Sequence, residues 1–192
     1  MHDARFVFLD RDGTLVFDVG HGHRLEDYQL LPGVLEALQL LKDAGFRFAI
    51  VTNQSGIGRG LFTHADFERF QARLFEDLTA AGIEVEATYV CPHLPDAGCA
   101  CRKPSPASLH QARDRFAIDL ARSWMIGDHA NDVRLAANAG CRGILVLTGH
   151  GHEEQHRLGE TPVDAVVDDL LAAARHVIER GGTRPLAPSS ES

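Results

Sequence analysis

Short apolar runs alternate with longer amphipathic segments from one end of the sequence to the other. The runs are 5–9, 46–51, 85–90, 124–126, 144–147 and 165–167, and each has the length and composition of a buried strand. Between the first two, Val34, Leu35, Leu38 and Leu41 fall on one helical face, opened by Pro32-Gly33 and ended at Gly45. Thr63, with Asp66 three residues on, reads as a capping box. The helix it starts carries a stripe of Phe67, Phe70, Leu74 and Leu78 and closes at Gly82. Helices are also expected over 105–116, over 132–139 up to Gly140, and over 169–180. Residues 10–32 read as a loop or hairpin and 52–61 as a polar, Gly-rich segment. Parallel strands need long crossovers, which helices supply, so the pattern predicts an α/β fold with a parallel sheet covered on both faces.

Residues 1–180 have the size of a single domain with an ordinary core. The Gly-, Pro- and Ser-rich stretch 181–192 is expected to be a disordered tail. The formal net charge of -8 argues against nucleic acid or an anionic membrane as the main partner, because both reward a basic surface. An anionic small molecule remains compatible, since a site can be positive on an acidic protein. No apolar run is long enough to span a bilayer, and residues 1–9 lack a basic leader pattern. The expectation is a cytoplasmic monomer.

In a parallel sheet, ligands bind beyond the carboxyl ends of the strands. Polar residues cluster there: Asp10, Thr52, Lys103 and Asp128 each follow a strand or its loop. Asp10 and Asp12 are two apart, so in an extended segment both carboxylates face one spot. Such a pair repels unless a cation or a shared proton intervenes, and Mg2+ takes oxygen ligands readily. One carboxylate can attack phosphorus while the other handles a proton. A bare Asp-x-Asp is more often a solvated turn. Asp10-Arg11-Asp12-Gly13-Thr14 directly after an apolar strand is a far more restrictive string.

That string resembles the first motif of the haloacid dehalogenase-type phosphatases. The resemblance implies a Rossmann-like three-layer fold and an aspartyl-phosphate mechanism. It makes Asp10 the nucleophile, Asp12 the general acid/base, and both of them Mg2+ ligands, Asp12 through its backbone carbonyl. Thr52 resembles the phosphate-binding hydroxyl of the second motif, and Lys103, in Cys101-Arg102-Lys103-Pro104, the lysine of the third. Gly127-Asp128-His129-Ala130-Asn131-Asp132 resembles the fourth. There Asp128 completes the Mg2+ site and Asp132 orients it or binds through water. An acid at Asp132 also suits a helix N-terminus.

Cys91, His93, Cys99 and Cys101 lie within eleven residues. Three thiolates and an imidazole form a full tetrahedral shell for a structural Zn2+. Cys141 has no such company and reads as a small core residue. Cys-Pro-His followed by Cys-x-Cys-Arg-Lys-Pro resembles the zinc-containing subgroup of the family, which includes heptose 1,7-bisphosphate 7-phosphatases and histidinol-phosphatases. Members of that subgroup have no large cap domain. Thr52 through Gly60 and Leu147-Thr148-Gly149-His150-Gly151 resemble the heptose bisphosphatase branch, which implies removal of a sugar 7-phosphate. By the same analogy Asp18, Thr52, Asn53, Gln54, Ser55, Arg102, Lys103 and His129 face the substrate. Val16 and His129 depart from that branch, where Asn and Lys are common. His21, His23, His150 and His152 form two Gly-His patches that read as flexible, solvent-exposed loops.

Overall fold

In the computed structural model, residues 4–180 are described. In chain order the elements are β1 (Phe6–Leu9), α1 (Val34–Asp43), β2 (Arg47–Asn53), α2 (Ser55–Gly58), α3 (His64–Ala80), β3 (Val85–Cys91) and α4 (Ala107–Phe116). There follow β4 (Trp124–Gly127), α5 (Ala130–Ala139), β5 (Arg142–Val146), α6 (Gly151–Glu154), β6 (Ala165–Val167) and α7 (Leu170–Arg180). The six strands form one sheet in the order β3-β2-β1-β4-β5-β6, and every pairing is parallel. The alternation predicts this parallel α/β sheet covered on both faces, and the family resemblance its Rossmann-like, three-layer form.

The strands are apolar on both sides because both sides are covered. Val7, Leu9, Ile50 and Ile126 pack with residues of α1, α3 and α7. Their neighbours Phe6, Phe8, Val51 and Met125 pack with α4 and α5 on the other face. Full burial of each Phe or Leu stabilises the fold by roughly 1.5–3 kcal/mol, so the central strands anchor it.

Most helix signals coincide with helix ends. Asp66 N donates to Thr63 Oγ1 at 3.2 Å and Thr63 N to Asp66 Oδ2 at 2.8 Å, which is the capping box. Gly140 ends α5 with a φ of 77°. Residues 10–32 close as a hairpin-like excursion through an antiparallel bridge between Val16 and Leu30. The polar segment 52–61 contains the short helix α2, whose glycines hide it from periodicity. Two expectations need correction. Helix α5 starts at Ala130 rather than 132, because the Asp132 carboxylate accepts from His129 N at 3.0 Å and holds the extra half-turn. His152 lies in α6 rather than in a loop, whereas His150 stays in the turn before it. The tail expected at 181–192 lies outside the described residues.

Candidate active site

Strand order runs outward from β1 through β2 to β3, then reverses to β4 on the other side of β1. A crevice opens at that reversal, beyond the carboxyl ends of β1 and β4. Asp10 follows β1 and Asp128 follows β4, so the topology puts one carboxylate on each lip. Asp10 N donates to Ile126 O at 3.0 Å, which continues the β1–β4 ladder up to the site.

Lys103 comes in from the loop before α4. Its Nζ lies 2.8 Å from Asp10 Oδ2 and 2.7 Å from Asp132 Oδ1 and donates to Val51 O at 2.9 Å. Burial alone would lower the Lys103 ammonium, but Asp10 and Asp132 outweigh it and hold it well above its ordinary value. Burial pushes the Asp10 carboxyl up, against the pull of Lys103. Asn53 fixes the loop: its Oδ1 accepts from Lys103 N at 3.2 Å.

Asp128 is fully buried and raised to about 8, by burial first and then by the like charges of Asp10 and Asp132. Two glycines make room for it. A Cβ on Gly13 (φ +75°) would meet Asp128 Oδ2 at 2.2 Å, and one on Gly149 (φ +53°) would meet the same atom at 2.3 Å. Oδ2 accepts from His150 N at 2.8 Å, whereas Oδ1 has no hydrogen-bond partner among the described residues. Asp10, Asp128 and Asp132 offer carboxylate oxygens within 4.8 Å of one another. An orphaned buried oxygen among three acids is costly, and a hard divalent cation supplies what it lacks. The donor set fits Mg2+.

Asp12 lines the same cavity as Asp10. Gln54 Nε2 donates to Asp12 Oδ2 at 2.7 Å and to Thr52 Oγ1 at 2.8 Å, so one amide ties the end of β2 to the loop after β1. Burial raises the Asp12 carboxyl, and Arg11 counters it.

At the Cys/His loop, Cys91 Sγ and Cys101 Sγ each lie 3.6 Å from Cys99 Sγ, and His93 Nδ1 is 3.2 Å from Cys101 Sγ and 3.8 Å from Cys91 Sγ. Disulfides would need about 2 Å. Zn–S bonds of about 2.3 Å in a tetrahedron place the sulfurs about 3.8 Å apart, so the four ligand atoms fit Zn2+. The next residue, Arg102, donates from Nη1 to His93 O at 3.3 Å, which ties its guanidinium to the loop.

Comparison with known proteins agrees with this geometry. The HAD-hydrolase-like family profile matches residues 100–173. A D-glycero-beta-D-manno-heptose-1,7-bisphosphate 7-phosphatase from Yersinia pestis is 40% identical over 173 residues, which cover 85% of this chain and 90% of that one. The chain belongs to the HAD-like phosphatases. A D-glycero-D-manno-heptose-1,7-bisphosphate 7-phosphatase from Thermosynechococcus vestitus is 42% identical, over 89% of this chain and 94% of its own. Among solved structures, the D,D-heptose 1,7-bisphosphate phosphatase of B. bronchiseptica, complexed with magnesium and phosphate, superposes with a TM-score of 0.84 at 36% identity. That match covers 92% of this chain and 99% of that one.

In this phosphatase, Asp10, Asp12, Asp18, Thr52, Asn53, Gln54, Ser55, Arg102, Lys103 and His129 line one cavity of about 510 Å³. Asp128 lies behind them in the wall. Gln54 and Asn53 spend amide groups on the protein, so they brace the site as well as line it. His21 and His150 line the same cavity, and His150 Nε2 lies 3.1 Å from Asp18 Oδ2. Both stay exposed, as the sequence reading expects, and so does His152; His23 departs from that reading, half-buried and stacked on the Phe62 ring at 4.7 Å between centroids.

Other members of the wall escape sequence reasoning. Glu154 is buried, accepts from Ala130 N at 3.0 Å at the start of α5, and pairs with Arg157 at 2.6 Å. Nothing in its local sequence marks it. Arg11 is wholly buried against Asp12, although it reads as the spacer of an Asp-x-Asp string.

Proposed function

We propose that this HAD-like phosphatase is Mg2+-dependent and removes the 7-phosphate of D-glycero-D-manno-heptose 1,7-bisphosphate. The observation that carries the chemistry is the convergence of Asp10, Lys103, Asp128 and Asp132 at the β1–β4 crevice. The substrate rests on the similarity to the heptose bisphosphate phosphatases, at 40–42% identity over most of the chain.

Asp10, the backbone carbonyl of Asp12 and Asp128 would hold Mg2+, with Asp132 supporting the site. The bound ion supplies charge neutralisation for the phosphate oxygens and the clustered carboxylates. An Asp10 oxygen attacks phosphorus, and the bond from phosphorus to the sugar oxygen breaks. Asp12 gives its proton to that leaving oxygen. Water then attacks the phosphorus of the aspartyl-phosphate while Asp12 takes a proton from it. The bond to Asp10 breaks and inorganic phosphate leaves. Lys103 and Thr52 donate to the phosphate oxygens and hold them in line.

Asp18, Ser55, Arg102 and His129 stand around the same cavity and are assigned to the sugar and its second phosphate. A guanidinium such as that of Arg102 suits two-point contact with phosphate. Zn2+ at Cys91, His93, Cys99 and Cys101 would be structural. It would fix the loop that carries Arg102, whose guanidinium is tied to His93 O.

Phosphate release from both anomers of heptose 1,7-bisphosphate and from histidinol phosphate tests the substrate. The heptose ester should have the highest kcat/KM; faster turnover of histidinol phosphate would overturn that assignment. Asp10→Asn should abolish turnover with Mg2+ present, and unchanged turnover would rule out the covalent step.

A further inference from the structure

We propose that Arg11 is a positioning residue that fixes the Asp12 carboxylate for proton transfer and couples it to the loop lining the substrate cavity. The proposal rests on the reading of Asp12 as the general acid/base. In an extended Asp-x-Asp segment the middle side chain leaves on the opposite side from the two acids. The Arg11 side chain does leave, but its guanidinium curls back onto Asp12. Nε lies 3.2 and 3.1 Å from Asp12 Oδ1 and Oδ2, and Nη2 lies 2.9 Å from each.

Arg11 has no exposed surface. Arginine is rarely buried so completely, and its desolvation is repaid only by good geometry. Nε and Nη2 are engaged, whereas Nη1 is buried with no hydrogen-bond partner among the described residues. Here the geometry is built from three directions. The guanidinium carbon sits 4.7 Å from the Phe70 ring centroid and 5.0 Å from that of Phe67, two aromatic faces one helical turn apart on α3. Nη2 also donates to Gly22 O at 3.0 Å. From the other side, Gln54 Nε2 reaches Asp12 Oδ2 at 2.7 Å. Asp12 is thus gripped between a planar fork and an amide, while 19% of its side chain still opens onto the cavity.

An aliphatic side chain would fill the space beside Phe67 and Phe70 at a lower desolvation cost. The charged fork therefore points to a task on Asp12 rather than to packing. Holding a proton-transfer group in one orientation matters because small misplacements cost large factors in rate. The bond to Gly22 adds a second consequence. The loop that contributes Asp18, Gly20 and His21 to the cavity wall is anchored to the same guanidinium that orients Asp12.

The test compares two classes of phosphate ester. An alkyl ester, with heptose 1,7-bisphosphate used first, needs a proton on its leaving oxygen. The phenolate of p-nitrophenyl phosphate leaves without one, and kcat/KM reports that step. Asp12→Asn sets the reference by lowering kcat/KM for the alkyl ester far more than for the aryl ester. Arg11→Met should give the same pattern, with a loss of about 10- to 100-fold on the alkyl ester and about threefold or less on the aryl ester. Arg11→Lys should rescue little, because an ammonium lacks the planar fork. Added to Asp12→Asn, Arg11→Met should cost nothing further on the alkyl ester.

Equal losses on both esters, with the fold and Mg2+ binding intact, would reduce Arg11 to a structural residue. So would the absence of any loss on the alkyl ester. Should Arg11→Met fail to fold, Phe67→Leu removes one stacking face and leaves the ion pair. It should show a smaller loss with the same ester dependence, and an ester-independent loss would overturn the proposal. If Asp12→Asn itself does not distinguish the esters, the fault lies with the acid/base reading rather than with Arg11. If heptose bisphosphate is not turned over by the unmodified enzyme, the comparison runs on glycerol 3-phosphate, and only the substrate assignment falls.

Discussion

Lys103 Nζ lies 2.8 Å from Asp10 Oδ2, in a site where both side chains are more than nine-tenths buried. The two come from loops more than ninety residues apart in the chain. Asp132 on the far side of the ammonium makes the pair a triad with an excess negative charge. The site is thus built around a positive charge that one lysine supplies only in part.

Removing that lysine leaves two buried carboxylates facing each other. Lys103→Met should destabilise the metal-free protein by about 3–5 kcal/mol at pH 8, the usual cost of breaking a buried ion pair from one side. Burial raises Asp10 above its unfolded value, and the loss of Lys103 raises it further. A raised carboxyl contributes stability below its unfolded pKa and loses it as pH rises through the folded one. The deficit of the variant should therefore shrink as pH falls, which urea denaturation at pH 5.5 and 8 will measure. Turnover should fall by at least about 100-fold, because charge neutralisation is the main catalytic contribution of this group.

Mg2+ affinity should rise with pH. Asp128, raised to about 8, keeps a proton at neutral pH in the metal-free protein. A divalent ion must displace that proton, so binding releases it and tightens as pH approaches and passes 8. Calorimetric titration at pH 6.5 and 8.5, in two buffers of different ionisation enthalpy, should find tighter binding at the higher pH and proton release at the lower. Affinity independent of pH would place the titration elsewhere.

Gly149→Ala should injure the metal site without touching a ligand. The added Cβ would fall 2.3 Å from Asp128 Oδ2, at a φ of +53° that L residues adopt reluctantly. Either Asp128 or the 147–151 turn must move, at a cost of about 1–3 kcal/mol. The expected outcome is at least a tenfold weaker Mg2+ requirement curve, read as activity against Mg2+ concentration, with a modest drop in Tm. Unchanged Mg2+ dependence would mean that the turn absorbs the methyl group.

Zinc removal should act on the substrate before it acts on the chemistry. Metal analysis of tag-free protein should find about one zinc per chain. Cys99→Ser should lower that content and reduce Tm. It should also raise KM more than it lowers kcat, because Arg102 is anchored to His93 O while Lys103 is held independently by Asn53 and Val51. An equal effect on both constants would show that the loop positions Lys103 as well.

Strand and helix order follow from local rules, so the sequence alone determined the parallel α/β fold. The hydrophobic periodicity, the Thr63 capping box and the Gly140 stop each act within a turn or two of chain. The members of the site were also legible, because Asp10, Asp12, Lys103 and Asp128 follow strands in an ordered set of motifs, and strand ends are where such sheets bind ligands. The clustering of Cys91, His93, Cys99 and Cys101 was legible from chemistry and proximity in the chain. Contacts between distant segments were not. Arg11 looked like a spacer because alternation describes a strand, whereas its partners are two phenylalanines on α3 and a carbonyl in the 20–23 turn. Gly149 and His150 looked like loop residues, although the turn they form closes over Asp128. Side-chain direction, burial and the sharing of one charge among several partners depend on which segments the fold brings together, and only the tertiary structure decided that.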